Sequence, residues 1–334
     1  MTVRAALAMS KEAAAAVLTP GPLAELGRVC DLVADPVLDD FTTPEALDVL
    51  RDVELLVTGW GCAPLDAAAL AAAPRLRAIV HTAGSVHGHV TGECWDRGIE
   101  VASAASANAL PVAEYTVSMI LLTGKRVFES ARDYRKTRDR EDWLSTPSDV
   151  GNFGRTVGIL SASLIGRRVI ELLRPFDLRV LLHDPYVTDA DVGELGVERV
   201  GLGELFARGD VVSVHTPLLP ETRGLVSREL LTSMRPDAVL INTARGAVVD
   251  QDALADVTAD GRIRAVLDVT EPEVLPRDHP LWTIETVLIT PHLAGSQGNE
   301  WRRLADLAVA EVTRWVSGEG FAHPVKRERL GRIA

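Results

Sequence analysis

Three short stretches in the second half of the chain carry side chains able to move charge and protons. Ile241-Asn242-Thr243-Ala244-Arg245-Gly246 ends an apolar run in a turn that bears one arginine. A guanidinium is a planar fork that matches a carboxylate, and its charge polarises a neighbouring carbonyl. Val266-Leu267-Asp268-Val269-Thr270-Glu271-Pro272-Glu273 takes a second apolar run into three carboxylates. Leu288-Ile289-Thr290-Pro291-His292-Leu293-Ala294-Gly295 sets a histidine behind a proline, with small residues after it. An imidazole trades protons near neutral pH, and a carboxylate beside it raises its pKa and fixes its orientation. Each stretch alone has an ordinary structural explanation, such as an arginine capping a strand end or a packed histidine. Together they put an arginine, an acid and a histidine at strand ends of one sheet, where open α/β sheets bind ligands. That set suits a hydride transfer, which needs one charge clamp and one proton carrier.

The element that must position them spans residues 156–184, TVGILSASLIGRRVIELLRPFDLRVLLHD. Val157 to Leu160 reads as a buried strand. A turn of small residues follows, then a helix whose apolar residues recur at Leu164, Ile165, Val169, Ile170, Leu172 and Leu173. A second strand, Leu178 to Leu182, closes on His183-Asp184. This is the outline of a dinucleotide-binding βαβ unit, whose turn sets backbone N–H groups and a positive helix end against a pyrophosphate. Asp184 lies 18 residues beyond Gly166. There a carboxylate accepts from the adenosine ribose hydroxyls and repels a 2′-phosphate, so NAD is expected over NADP. The turn departs from Gly-x-Gly-x-x-Gly: it reads Ser161-Ala162-Ser163-Leu164-Ile165-Gly166, and only the third glycine remains. A Cβ at 161 and 163 obstructs close approach and disfavours positive φ, which predicts weakened NAD binding.

Composition bounds the rest. With 334 residues, the chain can hold two domains with sizeable cores. A net charge of −12 argues against a general nucleic-acid or anionic-membrane binder. Cys30, Cys62 and Cys94 are far apart, without metal-ligand spacing, and fit a reducing cytoplasm better than a disulfide framework. No secretory leader or membrane span is expected. No metal is expected either, because His87 and His89 have no matching carboxylate or cysteine cluster.

Strands and helices alternate along the chain. Residues 3–8, 54–57, 76–81 and 98–101 read as strands of a first α/β block. One long helix is expected from Asn108, as its N-cap, to about Lys136, with Pro111 in its first turn. Residues 137–155 are polar and irregular, with Trp143 and Phe153 as anchors. After the βαβ unit, strand–helix units repeat to about residue 289, and a last helix runs from about 299 to 316. If that helix crosses back to the first block, a discontinuous domain of 1–107 plus 299–334 flanks a dinucleotide domain of 108–298.

These stretches resemble the D-isomer-specific 2-hydroxyacid dehydrogenase family over roughly residues 50–316. NTARGAVVD (242–250), LDVTEPEVLP (267–276) and TPHLAGS (290–296) carry the likeness most strongly, supported by SVHTPLLPETRGLV (213–226) and ANALPVAEYTV (107–117). The resemblance implies an α/β fold of two Rossmann-like domains with parallel sheets, the substrate domain being discontinuous and flavodoxin-like. It implies NAD as cofactor, a small carboxylate substrate and a homodimer paired through the 108–155 region. Arg245 would bind the substrate carboxylate and carbonyl, and His292 would be the acid/base. Glu273 would be its carboxylate partner, preferred to Glu271 because it falls five residues after Asp268. Asp268 would face the nicotinamide carboxamide, with Thr243 and Ala244 beneath the ring and His292, Ala294 and Gly295 alongside. Ser161, Ser163, Leu164, Ile165 and Gly166 would form the phosphate turn, with leucine at 164 where the family commonly has arginine. Asp184 would meet the ribose, His215, Thr216 and Pro217 the adenine side, and Thr222 the phosphate side. The backbone of Thr82, Ala83, Gly84 and Ser85 would hold the substrate carboxylate. The activity implied is NAD-dependent interconversion of a small D-2-hydroxy acid and its 2-keto acid. The alternatives are a dehydrogenase of formate, phosphite or a phosphonate, or a non-catalytic nucleotide-sensing relative.

Overall fold

The computed structural model describes residues 2–139, 143–148 and 150–328, which form two compact units. One is built from residues 2–109 and 296–328, the other from 110–295. The chain passes between them at 109/110, inside the helix Ala105–Gly124, and again at 295/296. Asn108 Oδ1 accepts the Ser296 N–H at 3.0 Å, so both crossings are tied on the same unit.

The first unit holds five parallel strands: β1 (Arg4–Ala8), β2 (Asp31–Val33), β3 (Leu55–Thr58), β4 (Ala78–His81) and β5 (Glu100–Ser103). Their order is β2-β1-β3-β4-β5, the flavodoxin-like arrangement. β3 and β4 are buried along their whole length, so they read as continuous apolar runs rather than alternating ones. The helix Trp301–Val316 completes this unit: Leu304, Ala305, Ala308 and Val312 pack among Leu7, Leu55, Val57 and Val80. Each of these leucines and valines contributes about 1.5–3 kcal/mol when fully buried. Glu311 on that helix is 1% exposed and accepts the N–H groups of Ala322 and His323, which turns the chain beyond it.

The second unit holds seven parallel strands: β6 (Thr156–Leu160), β7 (Arg179–His183), β8 (Glu198–Arg199), β9 (Val211–Val214), β10 (Val239–Asn242), β11 (Arg264–Leu267) and β12 (Val287–Ile289). The order β12-β11-β10-β9-β6-β7-β8 is a doubly wound dinucleotide-binding sheet extended by one strand. Strand order reverses between β6 and β9, and the carboxyl ends there form the crevice where such sheets take ligands. The expected α/β fold with two parallel sheets is the one observed.

Three local expectations need correction. The long helix breaks into Ala105–Gly124 and Val127–Thr137, because Arg126 adopts φ +51°. Gly124 O, which would continue the first helix, is taken instead by Gly151 N and Arg155, and Leu121 O, while still accepting from Lys125 N, also accepts from Asn152 Nδ2. Asn108 is not an N-cap, since the helix already begins at Ala105. Pro111 therefore lies inside the helix rather than in its first turn. Within the irregular segment, 140–142 and 149 fall outside the described residues.

Candidate active site

β6 delivers the phosphate turn. Ser161 holds φ +83°, the left-handed conformation that the missing glycine would have supplied. Gly166 is required by space: a Cβ there would lie 2.1 Å from the Ser161 carbonyl oxygen. Ser163 N-caps the helix Leu164–Leu173, its Oγ accepting the Gly166 N–H at 3.3 Å. Leu164 is exposed at the helix start, whereas Ile165 packs into the core. The turn thus keeps the backbone shape that a dinucleotide requires while losing the clearance of two glycines. The residues present fit NAD, in a tighter cradle.

Asp184, at the end of β7, already has partners. Its Oδ2 accepts from Ser161 Oγ (3.1 Å) and Ala162 N (2.8 Å), and its Oδ1 from Tyr186 N (2.8 Å). On the other side of the crevice His215 is 1% exposed, with Nε2 2.9 Å from Ser213 Oγ. Thr216 Oγ1 donates to Leu160 O. Thr222 donates to Pro217 O and accepts from Leu219 N, so its hydroxyl shapes its own loop rather than standing free for a phosphate. Thr243 Oγ1 lies 3.2 Å from Thr116 Oγ1, and Ala244 is buried.

The three reactive side chains come from the ends of β10, β11 and β12. Asn242, which the sequence reading passed over, folds the first turn: its Oδ1 accepts Ala244 N and its Nδ2 donates to Arg245 O. Gly246 lets this turn press on the next, since a Cβ there would lie 2.1 Å from the Thr270 carbonyl carbon. Arg245 is half-buried, and burial holds its pKa below the ordinary arginine value while the charge of Glu273 pulls the other way. Its Nη1 donates to Ala244 O at 2.7 Å. Thr270 Oγ1 lies 2.9 Å from the carbonyls of Pro272 and Glu273 and holds the acidic turn. Glu273 Oε1 meets His292 Nδ1 at 2.6 Å, whereas Glu271 lies 3.8 Å from Arg223.

His292 itself sits at φ +51°, an uncommon conformation for a residue with a side chain. Asp268 supports it. This carboxylate is 2% exposed and accepts from Thr290 Oγ1 (2.6 Å), Leu293 N (2.9 Å) and Ala294 N (2.9 Å). The Asp268 carbonyl accepts the His292 N–H at 3.0 Å. Thr290 spends its proton on Asp268, so it accepts from Tyr115 OH at 2.8 Å. Asp268 is thus first an anchor of the histidine turn, a role hidden by its place in an acidic run.

The first unit carries the remaining candidates. Thr82 has both its N–H and its hydroxyl bonded to Thr58 O, so neither is free for a substrate carboxylate. Ala83 is buried, and Gly84 and Ser85 are partly exposed. Beneath this loop His81 Nδ1 lies 3.0 Å from Thr58 Oγ1 and 3.1 Å from His89 Nε2. Burial, with His89 adding to it against the Ser85 backbone, pushes His81 down to about 3; burial alone does the same to His215. In the unfolded chain a histidine titrates near 6.5. Between these values the unfolded state binds more protons, so the stability is full above pH 6.5 and is lost as pH falls toward 3. Each of the two histidines should cost about 2 kcal/mol by pH 5. Thermal melts at pH 7.5 and pH 5 check this; equal midpoints would contradict it.

A doubly wound parallel sheet with a helix-capped phosphate turn and an acid at the next strand end defines a dinucleotide-binding domain. Residues 117–294 match the family model described as D-isomer specific 2-hydroxyacid dehydrogenase, NAD binding domain. D-3-phosphoglycerate dehydrogenase of Mycobacterium tuberculosis is 33% identical over 301 residues, covering 89% of this chain and 55% of that one. The chain thus spans about half the length of these relatives. Glyoxylate reductase of Thermofilum pendens is 33% identical over 322 residues, covering 93% of this chain and 92% of that one. Among solved structures, D-lactate dehydrogenase from Aquifex aeolicus, complexed with NAD and lactic acid, superposes with a TM-score of 0.72 at 26% identity, covering 95% of this chain and 96% of that one. The chain belongs to the D-isomer specific 2-hydroxyacid dehydrogenase family.

Proposed function

We infer that this protein is an NAD-dependent oxidoreductase that interconverts a small D-2-hydroxy acid and its 2-keto acid. The observation that carries this reading is the Glu273–His292 contact of 2.6 Å beside a partly desolvated Arg245. Bound NAD supplies the hydride acceptor or donor. The N–H groups at the start of the Leu164–Leu173 helix would face its pyrophosphate, and Asp184 its adenosine ribose. His215 to Pro217 would border the adenine side, with Thr243 and Ala244 near the nicotinamide. Arg245 holds the substrate carboxylate and draws electron density from the carbonyl oxygen, an effect that grows where water is excluded. Glu273 accepts from His292 Nδ1–H, which fixes the tautomer and leaves Nε2 to give the proton to the nascent alkoxide or take it from the hydroxyl. Asp268, through the backbone of residues 292–294, keeps that imidazole aimed. Turnover of a 2-keto acid with NADH tests this reading directly.

The same reading makes the protein a cytoplasmic homodimer. Three free cysteines suit a reducing compartment. Among the described residues no helix is long and apolar enough to cross a membrane. Tyr134, Leu144 and Phe153 are 59%, 90% and 89% exposed, more apolar surface than one segment of a monomer usually leaves bare. A two-fold pair through this segment should give twice the chain mass in light scattering. A concentration-independent single-chain mass would rule the pairing out.

A further inference from the structure

We propose that Ser161 is a specificity-determining residue, whose hydroxyl occupies the carboxylate that selects NAD over NADP and thereby relaxes the selection. This rests on the reading of Asp184 as the acceptor of the adenosine ribose. A carboxylate oxygen has about two acceptor positions in its plane. Oδ2 of Asp184 has both filled, by Ser161 Oγ and Ala162 N, and Oδ1 has one filled, by Tyr186 N. One position is left, whereas the two vicinal hydroxyls of the ribose need two to donate together. A glycine at 161 keeps the positive φ but brings no hydroxyl, so the third protein donor is particular to this turn.

The same bond acts on the competing cofactor. A carboxylate repels a 2′-phosphate least when its charge is drawn onto protein donors, and Asp184 has three of them. A cavity of about 450 Å³ beside it is lined by His183, Arg199 and Glu204 among others. Arg199 bridges to Asp189, which is itself 91% exposed, so the phosphate would meet a cation near the acid that opposes it. Fewer positions for the 2′-hydroxyl and a weaker barrier to the 2′-phosphate lower the discrimination from both sides. NAD stays preferred, by a margin below about tenfold.

The two serines of the turn separate cleanly. Ser163 caps the helix and does not touch Asp184, whereas Ser161 does. At position 161, alanine removes the hydroxyl and keeps the Cβ, and glycine removes both. Calorimetric titration of the full-length protein with NADH and with NADPH, without substrate, reads the ratio of the two dissociation constants. Ser161→Ala and Ser161→Gly should each raise the NADPH:NADH ratio about threefold to tenfold, the scale of one ordinary net hydrogen bond. Ser161→Gly suits the positive φ, so it serves if the strained alanine fails to fold. Asp184→Asn should collapse the ratio toward one. If Asp184→Asn does so while both Ser161 variants leave the ratio unchanged, or only glycine moves it, the role of the hydroxyl is overturned and the ribose reading stands. If Asp184→Asn alters neither constant, the ribose reading falls and the inference falls with it.

Discussion

Replacing His292 with alanine should lower kcat by about two to four orders of magnitude, the scale of a positioned proton carrier. His292 is the one imidazole at the end of β12, and Glu273 holds it in one orientation at 2.6 Å. It acts on substrate, so NADH affinity should change by less than a factor of about two. Steady-state kinetics paired with NADH titration separate these quantities. Turnover that survives in His292→Ala would sink the acid/base role even if the wild type proved a dehydrogenase. Loss of NADH binding in the variant would mean that the change had disturbed the turn held by Asp268.

Arg245→Ala should be as damaging, by a different route. One guanidinium serves both the substrate carboxylate and its carbonyl, so binding and turnover fall together. Removing a charge-assisted contact and a preorganised electrostatic group should reduce kcat/KM by about three to five orders of magnitude. Arg245→Lys should recover only part, since an ammonium lacks the planar fork that matches a carboxylate. A change confined to KM would show that Arg245 binds substrate without assisting the reaction. The backbone supports this side chain through Asn242 and the close approach at Gly246, so the variant should fold: neither contact involves the guanidinium.

Two residues of this constellation were legible because each stands alone in its stretch, whereas Glu273 shares its stretch with Asp268 and Glu271. Arg245 is the one cation of its turn, and His292 is the one imidazole behind β12. Gly166 was legible as the glycine that lets helix approach strand, and the structure shows that approach as a Cβ-sized gap closed by Ser161 O. What the sequence hid was how polar groups are spent. Asp184 and Asp268 look like acids presented to a ligand, yet three protein donors converge on each. Side-chain hydrogen bonding over 22 to 26 residues has no periodic signature that could reveal it. Ser161 was read as an obstacle because its type disfavours positive φ, but the surrounding turn imposes that φ all the same. The single helix expected over 108–136 failed for a similar reason. Apolar Val127 and Phe128 follow Gly124, while the Gly124 carbonyl is captured by Gly151 and Arg155, far along the chain.

The most direct test of the account is NADH oxidation by the wild-type protein across a panel of small 2-keto acids, with NADH saturating by prior titration and the product resolved on a chiral column. The account predicts turnover of at least one keto acid, formation of the D-hydroxy acid, and loss of both in His292→Ala. A wild type that binds NADH and leaves every keto acid unreduced, or that yields the L-hydroxy acid, would contradict it.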